Sequence, residues 1–155
     1  MTIAIRALPL GERHTLAPLL TRYAQEMRPL LAGTAPIRGE DAAWLLEDGP
    51  HLIALGAFDG ASPIGFAIVF EVPEVVFARR CGALDDVFVV PERRGEGIAR
   101  RLIEAAVAMG RERGWSHLRW IVPEGDTAAI ALYERIAERA AWRSYVIRLA
   151  PDASL

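Results

Sequence analysis

Residues 87–99 read V-F-V-V-P-E-R-R-G-E-G-I-A, and this stretch decides how the chain is expected to fold. Its first four residues are apolar and predict a buried strand, which stops at Pro91 because proline has no backbone N–H to donate. Apolar residues then recur at helical spacing between Ile98 and Met109. The stretch therefore predicts a strand, a turn containing two glycines and a helix, in that order.

The turn has the features of an anion site. Gly95 and Gly97 lack side chains where the strand meets the helix, so backbone N–H groups can approach a ligand directly. The helix N-terminus adds unpaired donors and roughly half a positive charge, which favour a phosphate or diphosphate. For an isolated Gly-x-Gly pair, a tight turn with solvated arginines is the alternative. The arginines around this turn are Arg93, Arg94, Arg100 and Arg101.

Two common phosphate motifs do not fit the turn. A P-loop requires a lysine after its second glycine, and this chain contains no lysine. A dinucleotide-binding fingerprint requires Gly or Ala at position 100, where Arg100 stands. ATP hydrolysis by a P-loop and dinucleotide binding by this fingerprint are therefore excluded.

Composition sets the broad class of protein. With 155 residues, 52% of them hydrophobic, the chain predicts one domain over residues 1–150 and a frayed tail over 151–155. The net charge of −2 argues against nucleic acid as a partner. No apolar run reaches the length of a membrane span, and the N-terminus does not resemble a secretion signal. Together with the single cysteine, Cys81, these features predict a cytoplasmic location and no membrane partner.

Hydrophobic periodicity gives the order of the remaining elements. The sequence predicts β-α-α-β-β-β-α-β-α-β, a mixed α/β arrangement around one sheet. Asp126 is expected to cap the last helix at its N-terminus. The predicted strands cover residues 3–6, 51–58, 64–70, 84–90, 117–122 and 142–149, and the predicted helices cover 16–27, 40–47, 98–114 and 126–139.

A family resemblance agrees with these elements. The run L-D-D-V-F-V-V-P-E-R-R-G-E-G-I-A-R-R-L-I at 84–103, followed by D-x-x-A-x-x-L-Y at 126–133, closely resembles the GNAT superfamily of acyl-CoA-dependent N-acyltransferases. Its signature, Gln/Arg-x-x-Gly-x-Gly/Ala, is matched by Arg94, Gly97 and Ala99. The resemblance implies the GNAT fold: a single mixed, mostly antiparallel sheet, splayed at its centre, with about four helices packed on both faces.

The resemblance also implies a cofactor site for acetyl-CoA, the co-substrate. Backbone groups of Val87, Phe88 and Val89 would pair with the pantetheine arm as an added strand would. Asp126, which stands where the family more often has Asn, and Tyr133 would also line the cofactor. The residues expected to bind the diphosphate are Arg94, Gly95, Glu96, Gly97, Ile98, Ala99 and Arg100.

Two residues are candidates for the acyl-transfer chemistry. Tyr133 matches the family tyrosine that can protonate the departing CoA thiolate. Leu84-Asp85-Asp86 resembles a Leu-Glu-Asp segment of the spermidine/spermine and diamine acetyltransferase branch, which implies Asp85 as a base acting through water. Strand alternation predicts that Asp85 and Asp86 point to opposite faces. The alternative for both is a strand-end carboxylate that caps a loop or pairs with an arginine.

No metal site is predicted. His14, His51 and His117 are far apart in sequence and lack a metal-binding spacing. Cys81 has no histidine close in sequence to activate it, so a passive thiol is expected rather than a nucleophile.

The resemblance implies an N-acetyltransferase that transfers the acetyl group directly to a primary amine of a small molecule, such as a diamine or polyamine. A homodimer is also possible. Two alternatives stay open at this point: a non-catalytic acyl-CoA sensor module, and an acetyltransferase that acts on a protein N-terminus or an antibiotic amine.

Overall fold

The structure is a computed structural model that describes residues 2–30, 43–47, 49–147 and 149. Its strands are β1 (Ile3–Leu8), β2 (Leu52–Asp59), β3 (Ser62–Glu74), β4 (Arg79–Val89) and β5 (Leu118–Arg119). Its α-helices are α1 (Ala17–Met27), α2 (Ile98–Glu112) and α3 (Thr127–Ile136). Short 3-10 turns cover Arg13–Leu16, Trp44–Glu47 and Pro91–Arg93. No helix in these ranges is long and apolar enough to cross a membrane.

The five strands form one sheet in the order β1-β2-β3-β4-β5. The first four strands are antiparallel neighbours, and β5 runs parallel to β4. The prediction of a mixed, mostly antiparallel sheet is therefore confirmed. Pairing of β4 with β5 covers only Gly82↔Leu118 and Ala83↔Arg119. From Leu84 onward, β4 has no strand partner on that side within the described chain, which is the expected splay.

Helix α2 covers the sheet with an apolar face. Its buried residues repeat at helical spacing, and they pack against β2, β3 and β4. Trp115 fills the space where α2 ends: a Cβ at Gly110 would lie 2.7 Å from its ring, and one at Gly82 would lie 2.4 Å away. Close packing around Trp115 thus fixes the end of α2 against the start of β4.

A buried arginine ties the first half of the chain together. Arg13 is 7% exposed and donates hydrogen bonds to the carbonyls of Leu8 (3.4 Å), Leu46 (2.6 Å) and Leu52 (2.9 Å). These carbonyls belong to the end of β1, the Trp44–Glu47 turn and the start of β2. One guanidinium therefore supplies donors to three segments whose carbonyls would otherwise be buried without a partner.

Several predicted element boundaries are corrected. The strand predicted over 117–122 is paired only at Leu118–Arg119, because the chain leaves β4 there. The last helix ends at Ile136 rather than reaching residue 139, since Ala137 has extended backbone angles. Of the second helix predicted over 40–47, the structure describes residues 43–47, with a 3-10 turn at Trp44–Glu47; residues 40–42 lie outside the described chain.

The predicted final strand over 142–149 is wrong for the residues that the structure describes there, 142–147 and 149. They form no strand, and their large apolar side chains face solvent. Alternation alone does not make a strand, because a strand also needs a neighbour with free backbone groups in register. The exposed residues are Trp142 (83%), Tyr145 (84%), Val146 (67%), Ile147 (73%) and Leu149 (91%).

Candidate active site

The glycines of the turn after β4 are required by their backbone angles. Gly95 has φ 81° and Gly97 has φ 74°, in the left-handed region that disfavours side chains. A Cβ at either position would meet nothing within 4 Å, so packing does not explain these glycines. Residues 95–97 are exposed. The turn is therefore open to a ligand.

Six consecutive amides at this turn have no acceptor. The N–H groups of Gly95 to Arg100 donate no hydrogen bond within the described chain, and the first to do so is Arg101 N–H, to Gly97 O at 3.0 Å. Such donors must find water or a ligand. Because they lie at the N-terminus of α2, the helix dipole adds positive potential. The turn therefore has the free donors and the positive potential that an anion site requires.

The arginines of the turn are less available than the sequence suggests. Acidic side chains pair with them, two from distant parts of the chain (Glu26 and Asp59) and two from the same segment (Glu96 and Glu104). Arg94 also donates through Nε to the carbonyl of Val89 (3.0 Å). Anion binding therefore depends on the amides more than on free guanidinium groups. The ion pairs are Arg93–Asp59 (2.6 Å), Arg93–Glu96 (2.8 Å), Arg94–Glu26 (2.6 Å) and Arg100–Glu104 (2.8 Å).

A groove between α2 and α3 adjoins the turn. Its volume is about 450 Å³, and Arg100 links it to the free amides. Three arginines against one glutamate give its lining a positive balance, which suits a second phosphate. Sequence reasoning did not find this groove, because it depends on how two helices pack. Its lining includes Arg100, Glu104, Val107, Arg111, Arg135 and Ile136.

Beside the turn, β4 offers one edge for pairing. Val87, Phe88 and Val89 are held by β3 on one side, opposite Ala67, Phe66 and Gly65. Their other side faces the gap left by β5. The Val89 carbonyl already accepts one hydrogen bond, from Arg94 Nε.

Tyr133 lies on the far side of this gap. Its half-buried ring packs edge-on against Trp120, with 5.4 Å between ring centroids. Its hydroxyl has no hydrogen-bond partner among the described residues. Burial, and then the charge of Asp126, raise the pKa of Tyr133, so the hydroxyl keeps its proton at neutral pH and can donate it. Asp126 caps α3 as predicted, accepting from Ala129 N–H at 3.1 Å.

A bulge in β4 separates the two aspartates. Ile68 pairs with Asp86 while Val69 pairs with Leu84, so Asp85 is an extra residue in the strand. The side chain of Asp85 is exposed, whereas Asp86 is half-buried and accepts a 2.8 Å hydrogen bond from the Tyr23 hydroxyl. Neither carboxylate pairs with an arginine or histidine in the part of the chain that the structure describes. The predicted alternative of an arginine pair therefore has no support there.

Burial makes Asp86 an unusual carboxyl group. It raises the pKa of Asp86, and the charge of Asp85 adds to this increase, while the hydrogen bond from Tyr23 opposes it. Burial followed by the charge of Asp86 also raises the pKa of Tyr23 well above its ordinary value. The charges of Asp85 and Tyr133 add smaller contributions to the raised pKa of Tyr23. Sequence reasoning missed Tyr23, whose only signal was its place on the apolar face of α1.

Comparison with known proteins identifies the family. Residues 16–137 match the family model described as "Acetyltransferase (GNAT) family". The chain therefore belongs to the GNAT acetyltransferases, whose members take their acyl group from acyl-CoA.

Individual relatives differ in what their names say they act on. The crystal structure of a ribosomal-protein-alanine N-acetyltransferase from Brucella melitensis biovar Abortus 2308 has a TM-score of 0.83 and 35% identity, covering 96% of this chain and 100% of that one. A mycothiol acetyltransferase of Thermobispora bispora is 41% identical over 63% of this chain. A thialysine N-epsilon-acetyltransferase of Sus scrofa is 27% identical over 57% of it. The matches span only 36% and 51% of these last two proteins.

The amide turn can be tested with Gly97→Ala. A side chain in the left-handed region costs roughly 1–2 kcal/mol, so the turn should shift and weaken CoA binding at least about 10-fold in calorimetry. Gly114→Ala is a matched control, because Gly114 also has a positive φ (69°) with nothing within 4 Å, beyond the opposite end of α2 from the amide turn. It should lose similar stability and keep full affinity. Equal affinities of the two variants would contradict the amide site.

Proposed function

We propose that this chain transfers an acetyl group from acetyl-CoA directly to a primary amine of a small molecule such as a diamine or polyamine. The observation that carries the proposal is the row of six free amides beside a gap in the sheet that leads to Tyr133 and Asp86. The diphosphate of CoA needs the free amides, and the thioester with its amine acceptor needs the gap.

The cofactor would lie along three adjoining surfaces. Its diphosphate would accept from the amides of Gly95 to Arg100, and its adenosine 3′-phosphate would lie in the groove beside Arg111 and Arg135. The pantetheine would fill the gap beside Val87 and Phe88, where its amides can pair with backbone groups. This arrangement directs the thioester from the turn towards Asp86.

The chemistry needs a base and an acid. Asp86, or Asp85 through water, would take a proton from the substrate ammonium, and the neutral amine would attack the thioester carbonyl. Collapse of the tetrahedral intermediate forms the amide and breaks the C–S bond. Tyr133 would donate its proton to the departing thiolate, and its raised pKa suits a donor that starts protonated. The second proton of the amine then restores the Tyr133 hydroxyl through solvent, and the protonated carboxyl gives its proton to solvent, so that each turnover releases one proton.

Charge supports a cationic acceptor. Asp85 and Asp86 have no cationic partner in the described chain. Asp86 accepts a hydrogen bond from the hydroxyl of Tyr23. A buried or half-buried carboxylate favours a counter-ion, which an ammonium group supplies. Exposed Asp85 could hold the second ammonium of a diamine. The thialysine acetyltransferase relative also bears a name that indicates a small amine acceptor.

A second acceptor class is supported by one comparison. The ribosomal-protein-alanine acetyltransferase matches this chain over nearly its whole length. A peptide with an N-terminal alanine is therefore the main competing acceptor.

An amine panel decides among the acceptors. Release of free CoA thiol should be fastest with diamines or polyamines, compared with an alanyl peptide and an aminoglycoside. Tyr133→Phe should lower kcat about 100-fold, because the acid is lost while the ring stays. Tyr145→Phe is the matched control: it removes a hydroxyl from a tyrosine that is 84% exposed and should leave kcat unchanged.

Two results of the panel count against the proposal. CoA binding without turnover of any acceptor would support a sensor module instead. Faster turnover of the alanyl peptide or the aminoglycoside would keep the enzyme but overturn the diamine or polyamine acceptor.

Asp86→Asn tests the base. Only the ionised carboxyl accepts a proton, so wild-type kcat/KM should rise with pH through the pKa of Asp86, which burial moves above the ordinary value. The variant should lose about 100-fold in kcat/KM at neutral pH and lose this rise. Asp85→Asn is the comparison: a loss confined to Asp85→Asn would assign the base to Asp85.

Asp86→Asn should raise the stability of the fold although it lowers activity. Because the folded-state pKa of Asp86 is raised, its contribution to stability is present at low pH and is lost as pH rises through that pKa. Asp86→Asn should therefore unfold at a higher temperature than the wild-type chain at pH 7, and at the same temperature near pH 3. A lower unfolding temperature at pH 7 would contradict this electrostatic account.

We also propose a homodimer. It is supported by the exposed apolar side chains of the segment 142–149, since a patch of this kind usually marks an interface. Light scattering after size exclusion should give twice the chain mass of 17.0 kDa. Trp142→Glu combined with Ile147→Glu should give the single-chain mass, because it places charges in that patch. A wild-type monomer at all concentrations would contradict the proposal.

A further inference from the structure

A cluster of three metal-binding side chains lies at the end of the sheet remote from the amide turn. Glu74 is on β3, Cys81 is on β4 and His117 directly precedes β5. One donor atom from each lies within 4.8 Å of the other two. Residues this far apart in sequence gave no metal-binding spacing, and only strand pairing brings them together.

Strand register explains why the three side chains share one face. Cys81 pairs with Val72, and Glu74 lies two residues beyond Val72, so the side chains of Glu74 and Cys81 are diagonal neighbours. Gly82 pairs with Leu118, which puts Cys81 level with His117. Gly82 N–H also donates to His117 O at 3.0 Å. The cluster is therefore built on backbone pairing rather than on flexible side-chain contacts.

The histidine has its orientation fixed by neighbours. Ser116 Oγ donates to the carbonyl of Arg80 (3.3 Å) and lies 3.0 Å from His117 Nδ1. In the tautomer with Nδ1 protonated, Nδ1–H donates to this oxygen and Nε2 keeps the lone pair that a metal needs. Phe77 packs edge-on against the same ring, with 5.7 Å between centroids. A metal-ligating histidine usually has a hydrogen-bond partner, here Ser116, for its second ring nitrogen.

We propose that Glu74, Cys81 and His117 form a binding site for Zn²⁺. A thiolate, an imidazole and a carboxylate are ligands that zinc combines, whereas Mg²⁺ and Ca²⁺ prefer oxygen ligands only. Three protein ligands leave the fourth tetrahedral position for water. Two ionised ligands would balance the charge of the ion.

One contact competes with the metal. Arg119 Nη1 lies 3.4 Å from Glu74 Oε2 in an ion pair that is partly exposed. The Arg119 side chain is 51% exposed, so its guanidinium can return to water when an ion takes its place beside Glu74, whose side chain is 15% exposed.

The site is distant from the amide turn that would bind the diphosphate. Cys81 precedes Val89 by eight residues of one strand, about 26 Å at the usual rise per residue, and precedes Asp85 by four, about 13 Å. Zinc binding and CoA binding can therefore be measured separately, so loss of one can be told from loss of the other.

Zinc titration of the untagged, reduced full chain tests the site. After treatment with a chelator, the chain should bind one Zn²⁺ in competition with a chromophoric chelator, and Co²⁺ in its place should give a thiolate-to-cobalt absorption band. His117→Gln and Cys81→Ser should each weaken binding at least about 100-fold, and Ser116→Ala about 10-fold. His51→Gln, outside the cluster, is the matched control and should bind like the wild-type chain.

Circular dichroism and CoA calorimetry confirm that each variant is folded. Because Cys81 is buried, Cys81→Ser is the variant that is hardest to fold. If Cys81→Ser does not fold, the zinc affinity of His117→Gln decides the outcome alone. The proposal is overturned if wild-type zinc affinity does not exceed that of His117→Gln, or if the cobalt complex lacks the thiolate band.

Discussion

Six adjacent backbone amides at the start of α2 point at no acceptor within the described chain, and the proposed chemistry depends on them. Two left-handed glycines turn the chain so that these N–H groups converge, and the helix dipole adds to their potential. Strand β4, which ends at this turn, is not paired with β5 beyond Ala83. One continuous surface therefore offers donors for a diphosphate and an open strand edge for the arm attached to it.

Charge is separated along this surface. Arginines near the amides are compensated by Glu26, Asp59, Glu96 and Glu104, so the diphosphate meets mainly backbone dipoles. At the other end of the gap, Asp85 and Asp86 lack any such compensation among the described residues. An anionic cofactor and a cationic acceptor would thus enter opposite ends of one cleft.

Local features of the fold could be predicted from the sequence, and features created by packing could not. The strand, turn and helix around Gly95 and Gly97 follow from proline, glycine and a 3.6-residue apolar period, all of which act within a few residues. The bulge at Asp85 and the hydrogen bond from Tyr23 to Asp86 depend on register with β3 and on the docking of α1. Likewise, the alternation after Trp142 predicted a strand that has no paired neighbour in the described chain, and Glu74, Cys81 and His117 meet only through the sheet.

The most direct measurement of the central claim is an amide-resolved NMR titration of the isotopically labelled chain with CoA. The account predicts that the amide resonances of Gly95 to Arg100 shift most and gain protection from hydrogen exchange, because their N–H groups acquire an acceptor. The amide of Gly114, a left-handed residue beyond the opposite end of α2, should not respond. Binding of CoA with no change at Gly95 to Arg100, or no binding at all, would contradict the account.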